Sequence, residues 1–150
     1  VTTQVEKATL FANLHIKGNP IILVNAWDAG SAKIIEGLGA KAIATGSWSV
    51  ASSHGYEDGE DLPLALAVAN LSRIVNTVDI PVSIDFEGAY GREPSVVSEN
   101  VAKVIEAGAV GINFEDQIIN GEGLYSIGEQ SSRIGAARQA AEQAGVPLFI

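Results

Sequence analysis

Glu106-Ala-Gly108-Ala-Val-Gly111-Ile-Asn-Phe-Glu115-Asp116 is the stretch on which the reading of the fold turns. It runs from the end of a helical segment through a glycine into a short apolar run, and it finishes on two carboxylates. Glycine just past a helix suits the left-handed cap position, and the β-rich run behind it reads as a strand. The same phrase recurs as Glu36-Gly-Leu-Gly39-Ala-Lys-Ala-Ile and as Glu142-Gln-Ala-Gly145-Val-Pro-Leu. A further unit replaces the glycine turn with Asp79-Ile-Pro81, ahead of Val82-Ser-Ile-Asp-Phe-Glu87.

Working outward, the pattern predicts a leading helix over 4–17, a strand over 21–26, a helix over 31–38 and a strand over 41–47. A loop through Gly59 leads to a helix over 63–78, a strand over 82–87 and a helix over 94–107. The fourth strand spans 111–116; a long loop, a helix over 131–144 and a fifth strand opening at Leu148 follow. Strict strand–helix alternation implies parallel strands joined by right-handed crossovers. An open doubly wound sheet and a closed barrel both fit that pattern. A dinucleotide-binding sheet should show G-x-G-x-x-G after its first strand, where this chain has Asn25-Ala-Trp-Asp28-Ala-Gly. No Walker A sequence is present. The uniform units favour a (β/α)8 TIM barrel, which takes about 250 residues. Residues 1–150 are therefore expected to be the N-terminal part of one barrel domain: the leading helix and the first four to five βα units. The opening at Val1, the lack of any Met and the end at Ile150 inside a strand-like run fit a piece of a longer protein.

Composition narrows the function. With 47% hydrophobic residues the chain can bury one core. No apolar run reaches the roughly 18–20 residues of a membrane helix, and no basic, apolar leader opens the chain. The absence of cysteine excludes disulfides, thiolate metal sites and a cysteine nucleophile within this stretch. A net charge of −9 argues against nucleic acid, which needs Lys and Arg against its phosphates. A cytoplasmic protein is expected, with neither nucleic acid nor membrane as partner. Solubility accounts for most of the acidity, except for carboxylates placed where solubility does not need them.

Those exceptions gather at one end. Parallel barrels carry their chemistry at the C-terminal ends of the strands. By the period of two, Val82, Ile84 and Phe86 should face the helices, and Ser83, Asp85 and Glu87 the mouth. On the next strand Ile112 and Phe114 should face the helices, with Asn113 and Glu115 inward and Asp116 at the lip. Carboxylates on adjacent strands repel unless a positive group sits between them. Mg2+, or Mn2+, is the expected cation because it takes oxygen ligands and keeps several waters. The alternative is pairing with Lys or Arg, and only Arg92 lies near the third loop. Asp58, in His54-Gly-Tyr-Glu-Asp58-Gly-Glu-Asp, is a candidate catalytic carboxylate on a mobile loop over the same mouth. Asn25, Trp27 and Asp28 after the first strand, and Thr45-Gly46-Ser47-Trp48 after the second, complete the ring. Ser47 and the backbone at Gly46 are candidates for holding a substrate carboxylate, with Trp27 and Trp48 as walls or readers. His15 and His54 are expected to pack rather than react. No Ser-His-Asp spacing supports triad chemistry.

Taken together, Asn25-Ala-Trp-Asp28-Ala-Gly-Ser-Ala, the Asp58 loop, Pro81-Val-Ser-Ile-Asp85-Phe-Glu87-Gly-Ala-Tyr-Gly91 and Gly111-Ile-Asn-Phe-Glu115-Asp116 resemble the phosphoenolpyruvate mutase/isocitrate lyase superfamily. The resemblance implies a (β/α)8 barrel with Mg2+ near Asp85, Glu87 and Glu115, partly through water. It implies a small 2-oxo acid substrate held by Ser47 and the neighbouring backbone, with Asp58 as the reacting loop carboxylate. It implies cleavage that leaves a metal-stabilised pyruvate enolate, and assembly as a homodimer or homotetramer. Glu87 stands where the family usually has Asp. The loop Gln117-Ile-Ile-Asn-Gly-Glu-Gly-Leu-Tyr125 lacks the Cys and His of the isocitrate lyase motif, and Gly59-Glu60-Asp61 replaces the mutase branch's Asn-bearing motif. Carbon–carbon cleavage of a 2-oxo or 2-hydroxy dicarboxylate, by a lyase or decarboxylase, is the expected reaction. P–C chemistry (phosphonomutase or phosphonopyruvate hydrolase) and a non-catalytic oxo-acid-binding barrel are the alternatives.

Overall fold

A computed structural model of the chain describes residues 2–150; Val1 lies outside the described residues. Four strands, β1 (Val24–Ala26), β2 (Ile43–Thr45), β3 (Val82–Asp85) and β4 (Gly111–Asn113), pair in parallel in chain order. Val24 lies opposite Ile43, Ile43 opposite Val82, and Ser83 opposite Gly111. The strands are shorter than the apolar runs suggested: β1 loses residues 21–23 at its start, β2 loses residues at both ends, and β3 and β4 lose them at the mouth. Phe149 adds a parallel bridge to Gly111, the first contact of the expected fifth strand.

Helices α1 (Gln4–Asn13), α2 (Ala29–Gly37), α3 (Ser47–Ser53), α4 (Leu64–Val75), α5 (Pro94–Glu106) and α6 (Ile127–Ala144) fill the connections. Helix α1 starts at a capping box, in which Glu6 N–H donates to Thr3 Oγ1 at 3.2 Å and Thr3 N–H donates to Glu6 Oε2 at 2.7 Å. It ends before the predicted Lys17, where the chain turns back through an Ile16–Asn19 bridge. Gln4 Nε2 donates to the carbonyls of Ile105 and Ala109, and Lys7 Nζ to that of Val78. These carbonyls precede β4 and β3, so α1 closes the N-terminal ends of the strands and leaves the opposite end open. Phe11 reaches Gly111 from below; a Cβ there would lie 2.7 Å from Phe11 Cε1 and 2.9 Å from Ser83 Oγ. His15 packs as expected for a non-catalytic residue, stacking on Phe149 at 4.0 Å. Between strands and helices Ile43, Val82, Ile84, Phe86, Leu71, Val97 and Val104 form one buried core.

Helix α3 was expected to be loop. Ser47-Trp-Ser-Val-Ala-Ser-Ser carries four serines, which compete with helix by bonding their own backbone. Here Ser49 and Ser53 turn that habit to use, donating to the carbonyls of Gly46 and Val50. No described helix is long and apolar enough to cross a membrane.

Glu36, near the end of α2, is a structural carboxylate whose role the sequence hid. It accepts from Asp79 N–H at 2.6 Å and Ile80 N–H at 3.3 Å, and Lys33 Nζ donates to it at 2.7 Å. Its pKa is lowered, first by Lys33, with the Asp79 and Ile80 donors adding to the effect. Glu36→Ala is expected to cost about 1–3 kcal/mol in urea unfolding at neutral pH. A depressed folded pKa means that the contribution is full above the ordinary carboxylate value and is lost as pH falls through the folded one. Mutant and parent stabilities should therefore converge in acid; equal stability at neutral pH would rule this anchor out.

Candidate active site

Both of the strands that carry the predicted metal ligands deliver carboxylates to the open end. Asp85, the last residue of β3, accepts the backbone N–H of Ser47 at 2.9 Å on Oδ2. That N–H is the first of α3 and has no intrahelical acceptor, so the carboxylate completes the helix start. Asp85 N–H in turn donates to Thr45 Oγ1 at 3.0 Å. Glu115 lies just beyond β4, half-buried. Its pKa is raised, first by burial and then by the charges of Asp85, Asp58, Glu60 and Asp116. Asp58 is exposed on the loop above, close enough for its charge to act on Glu87 and Glu115.

Glu87 takes a different direction from the one alternation predicts. Its φ is +48°, so the extended row ends at Phe86 and the side chain leaves it. Glu87 Oε1 accepts Gly59 N–H at 2.9 Å and Glu60 N–H at 3.0 Å, in the Asp58 loop. Glu60 returns the exchange, its Oε1 accepting Tyr90 N–H at 2.7 Å. The α3–α4 and β3–α5 loops are thus fastened by two carboxylates, each holding backbone of the other loop. Glu87 is only 7% exposed, and burial pushes its pKa up to about 7 against the pull of its two N–H donors. Burial likewise raises Glu60.

The remaining predicted residues sit around this pair of loops. Gly46 is the N-cap of α3; a Cβ there would meet Asn25 Nδ2 at 3.0 Å and Ser49 Oγ at 3.1 Å, so the backbone passes close to its neighbours. Ser47 is partly buried beside Asp85, whereas Trp48 is 67% exposed and Trp27 45% exposed. Asp28, expected in the ring, is the N-cap of α2 and accepts Ser31 N–H at 2.7 Å. His54 turns its ring to the Val50 carbonyl. Arg92 is exposed and in no ion pair; among the described residues the one salt bridge is Lys33–Glu36. Pairing with Lys or Arg therefore does not neutralise the mouth.

No three His, Cys, Asp or Glu groups among the described residues converge to hold a metal ion. The donor chemistry nevertheless fits Mg2+, which takes oxygen ligands and needs only one or two carboxylates because it keeps its waters. Asp85 and Glu115 would make such a pair, while Glu87 Oε1 is taken up by the neighbouring loop.

Sequence reasoning missed a cation in this region. Arg133, from α6, is buried behind the same loops. Its neighbours in sequence, Ser131-Ser-Arg133-Ile-Gly, gave no signal, since an arginine on a polar helix ordinarily faces water.

Parallel βα units with carboxylates at the C-terminal strand ends make this a barrel-type sheet with an acidic open end. The chain belongs to the phosphoenolpyruvate phosphomutase family, whose model matches residues 11–150. A solved structure from Burkholderia cenocepacia, provisionally described as a phosphonomutase, is 47% identical with a TM-score of 0.96, covering 99% of this chain and 58% of its own. The 2-methylisocitrate lyase of Escherichia coli is 29% identical over 103 residues, 68% of this chain and 35% of the lyase. A phosphonopyruvate hydrolase solved with oxalate and Mg2+ shares the fold at 24% identity and a TM-score of 0.84, over 89% of this chain and 48% of its own. The chain spans 35–40% of the length of the curated relatives it matches. Its four strands are an arc of the (β/α)8 barrel of this superfamily.

Because Glu87 is a loop fastener, its replacement should be read in the backbone it holds. Glu87→Ala is expected to release the amides of Gly59 and Glu60 to hydrogen exchange and to cost about 1–3 kcal/mol. Glu87→Gln keeps an acceptor oxygen and should retain most of the protection. Unchanged exchange at both amides in the alanine variant would show that the carboxylate does not hold the loop.

Proposed function

We propose that the protein is a Mg2+-dependent enzyme that cleaves a carbon–carbon bond of a small 2-oxo or 2-hydroxy dicarboxylate. The observation that carries this reading is the group of Asp85, Glu115 and Asp116 at the strand ends with Asp58 on the loop above them, and no cationic side chain in an ion pair with any of the four. Bound there, Mg2+ supplies Lewis-acid charge for the oxygens of a 2-oxo acid. Asp85 and Glu115 would hold the cation. Asp85 also fixes the start of α3, which brings the Gly46–Ser47 backbone to the place where a substrate carboxylate would bind. Asp58, exposed on a fastened loop, is the group available to take or give a proton at the scissile bond.

The 2-methylisocitrate lyase relative supports C–C chemistry, although the 117–125 loop lacks the Cys and His expected of an isocitrate lyase. The greater similarity to the protein described as a phosphonomutase favours P–C chemistry as the second reading.

Full-length protein offered oxaloacetate, 2-methylisocitrate and phosphonopyruvate separates the two readings: turnover of phosphonopyruvate alone would replace the first by the second. Asp58→Ala is expected to lower kcat by about two to four orders of magnitude while the protein stays folded. Mg2+ with oxalate should raise Tm in the parent and not in Asp85→Asn. No Mg2+-dependent shift in the parent would favour a barrel without metal chemistry.

A further inference from the structure

The turn after β3 is strained. Glu87, Ala89 and Tyr90 all have positive φ, at 48°, 61° and 54°, where non-glycine residues are disfavoured. Such conformations cost about 1–3 kcal/mol each and persist only where the surroundings fix them. Here every carbonyl from Glu87 to Gly91 has a donor from another element. Glu115 N–H serves Glu87, and Asn100 Nδ2 serves Ala89 and Tyr90. Gly88 and Gly91 are served by one group: Arg133 Nη2, at 2.7 and 3.1 Å.

Arg133 is 1% exposed and makes no ion pair among the described residues. Its guanidinium lies 3.9 Å from the centre of the Tyr125 ring and 4.8 Å from that of Phe114, both from the segment after β4. Nη1 approaches the Glu115 carbonyl at 3.5 Å and donates to Gln130, whose own Nε2 donates to that carbonyl at 3.0 Å. Nε has no hydrogen-bond partner among the described residues. A buried charge with an unsatisfied nitrogen is a costly way to fill space, and an apolar side chain would do so without that penalty. What an apolar residue lacks is a planar fork that reaches the two loops at once.

We propose that Arg133 is a positioning residue that sets the Asp85-bearing and Glu115-bearing strand ends relative to each other, so that a divalent cation can bind between them. This rests on the metal-site reading above. Arg133 touches the backbone around the acids rather than their carboxylates, so the mouth keeps its negative charge while its shape is fixed. Lysine at this position keeps the charge and one nitrogen for the Gly88 and Gly91 carbonyls, but it has no second nitrogen to hold Gln130 and approach the Glu115 carbonyl, and no plane to lie between two rings.

The test is Mn2+ affinity of the full-length protein, followed by EPR, with amide exchange over residues 88–91 as the second readout. Arg133→Lys is expected to weaken Mn2+ binding about tenfold or more and to speed exchange in that turn. Val104→Ala, a core truncation in α5 away from the mouth, lowers Tm but should leave Mn2+ affinity unchanged. If Arg133→Lys does not fold, Gln130→Ala carries the test, removing a partner shared by Arg133 and the Glu115 carbonyl. A folded Arg133→Lys or Gln130→Ala protein binding Mn2+ within about twofold of the parent overturns the proposal. Should the parent bind no Mn2+, the metal-site reading fails by itself, and amide exchange decides on Arg133. Unchanged exchange at 88–91 in Arg133→Lys then rejects the positioning role.

Discussion

Backbone carbonyls that leave a strand at the end of a sheet must find donors, and after β3 they find them on three different elements. The donors are Glu115 N–H beyond β4, Asn100 on α5 and Arg133 on α6. This accounting is what allows three left-handed, non-glycine residues in one short turn. Without those donors the turn would relax, Glu87 would lose its direction, and the Asp58 loop would lose the carboxylate that holds its Gly59 and Glu60 amides. Local strain, loop placement and the position of a candidate proton-transfer group are therefore one linked problem. The link runs through backbone hydrogen bonds rather than through side-chain packing.

The same arrangement explains why the open end stays acidic. A chain with 18 acidic and 9 basic residues has cations to spare for only half of its carboxylates. At the mouth it uses none of them in ion pairs. Arg133, the buried cation nearest the site, gives its hydrogen bonds to carbonyls and to Gln130. Burial first, and neighbouring carboxylates second, favour the neutral form, which raises the pKa of both Glu115 and Glu87. A hard dication reverses that tendency at the acids it touches.

Much of this was legible in the sequence because it depends on periodicity and punctuation. The helix–glycine–strand phrase marked β2 and β4, the Asp79-Ile-Pro81 turn marked β3, and Pro94 marks the first residue of α5 where a proline is tolerated. Asp85 and Glu115 were legible as strand-end acids. What could not be read is what depends on partners distant in sequence. Glu87 follows the strand's alternation until a positive φ diverts it, and the obvious residue to bear a left-handed angle was Gly88, next to it. Arg133 lies 42 residues beyond the Gly91 carbonyl it serves, on a helix whose composition suggests a solvated face. Helix α3 was hidden by serines whose hydroxyls serve helix carbonyls, a role that composition does not distinguish from a loop.

The carboxylates at this end divide by what meets them. Glu60 and Glu87 each use Oε1 to accept backbone amides from the opposite loop. Asp28 likewise accepts an amide at the start of α2. Asp58 and Asp116 are exposed and make no side-chain hydrogen bond among the described residues. Asp85 belongs to both groups, for Oδ2 takes the Ser47 amide while Oδ1 has no hydrogen-bond donor among the described residues. One oxygen fixes the helix that begins at the prospective substrate site, and the other remains for a ligand in the mouth. A residue with that double task transmits any shift of α3 to whatever Oδ1 holds. The exposed Trp48, one residue further along the same helix, is then coupled to the acid through a single hydrogen bond and one peptide unit.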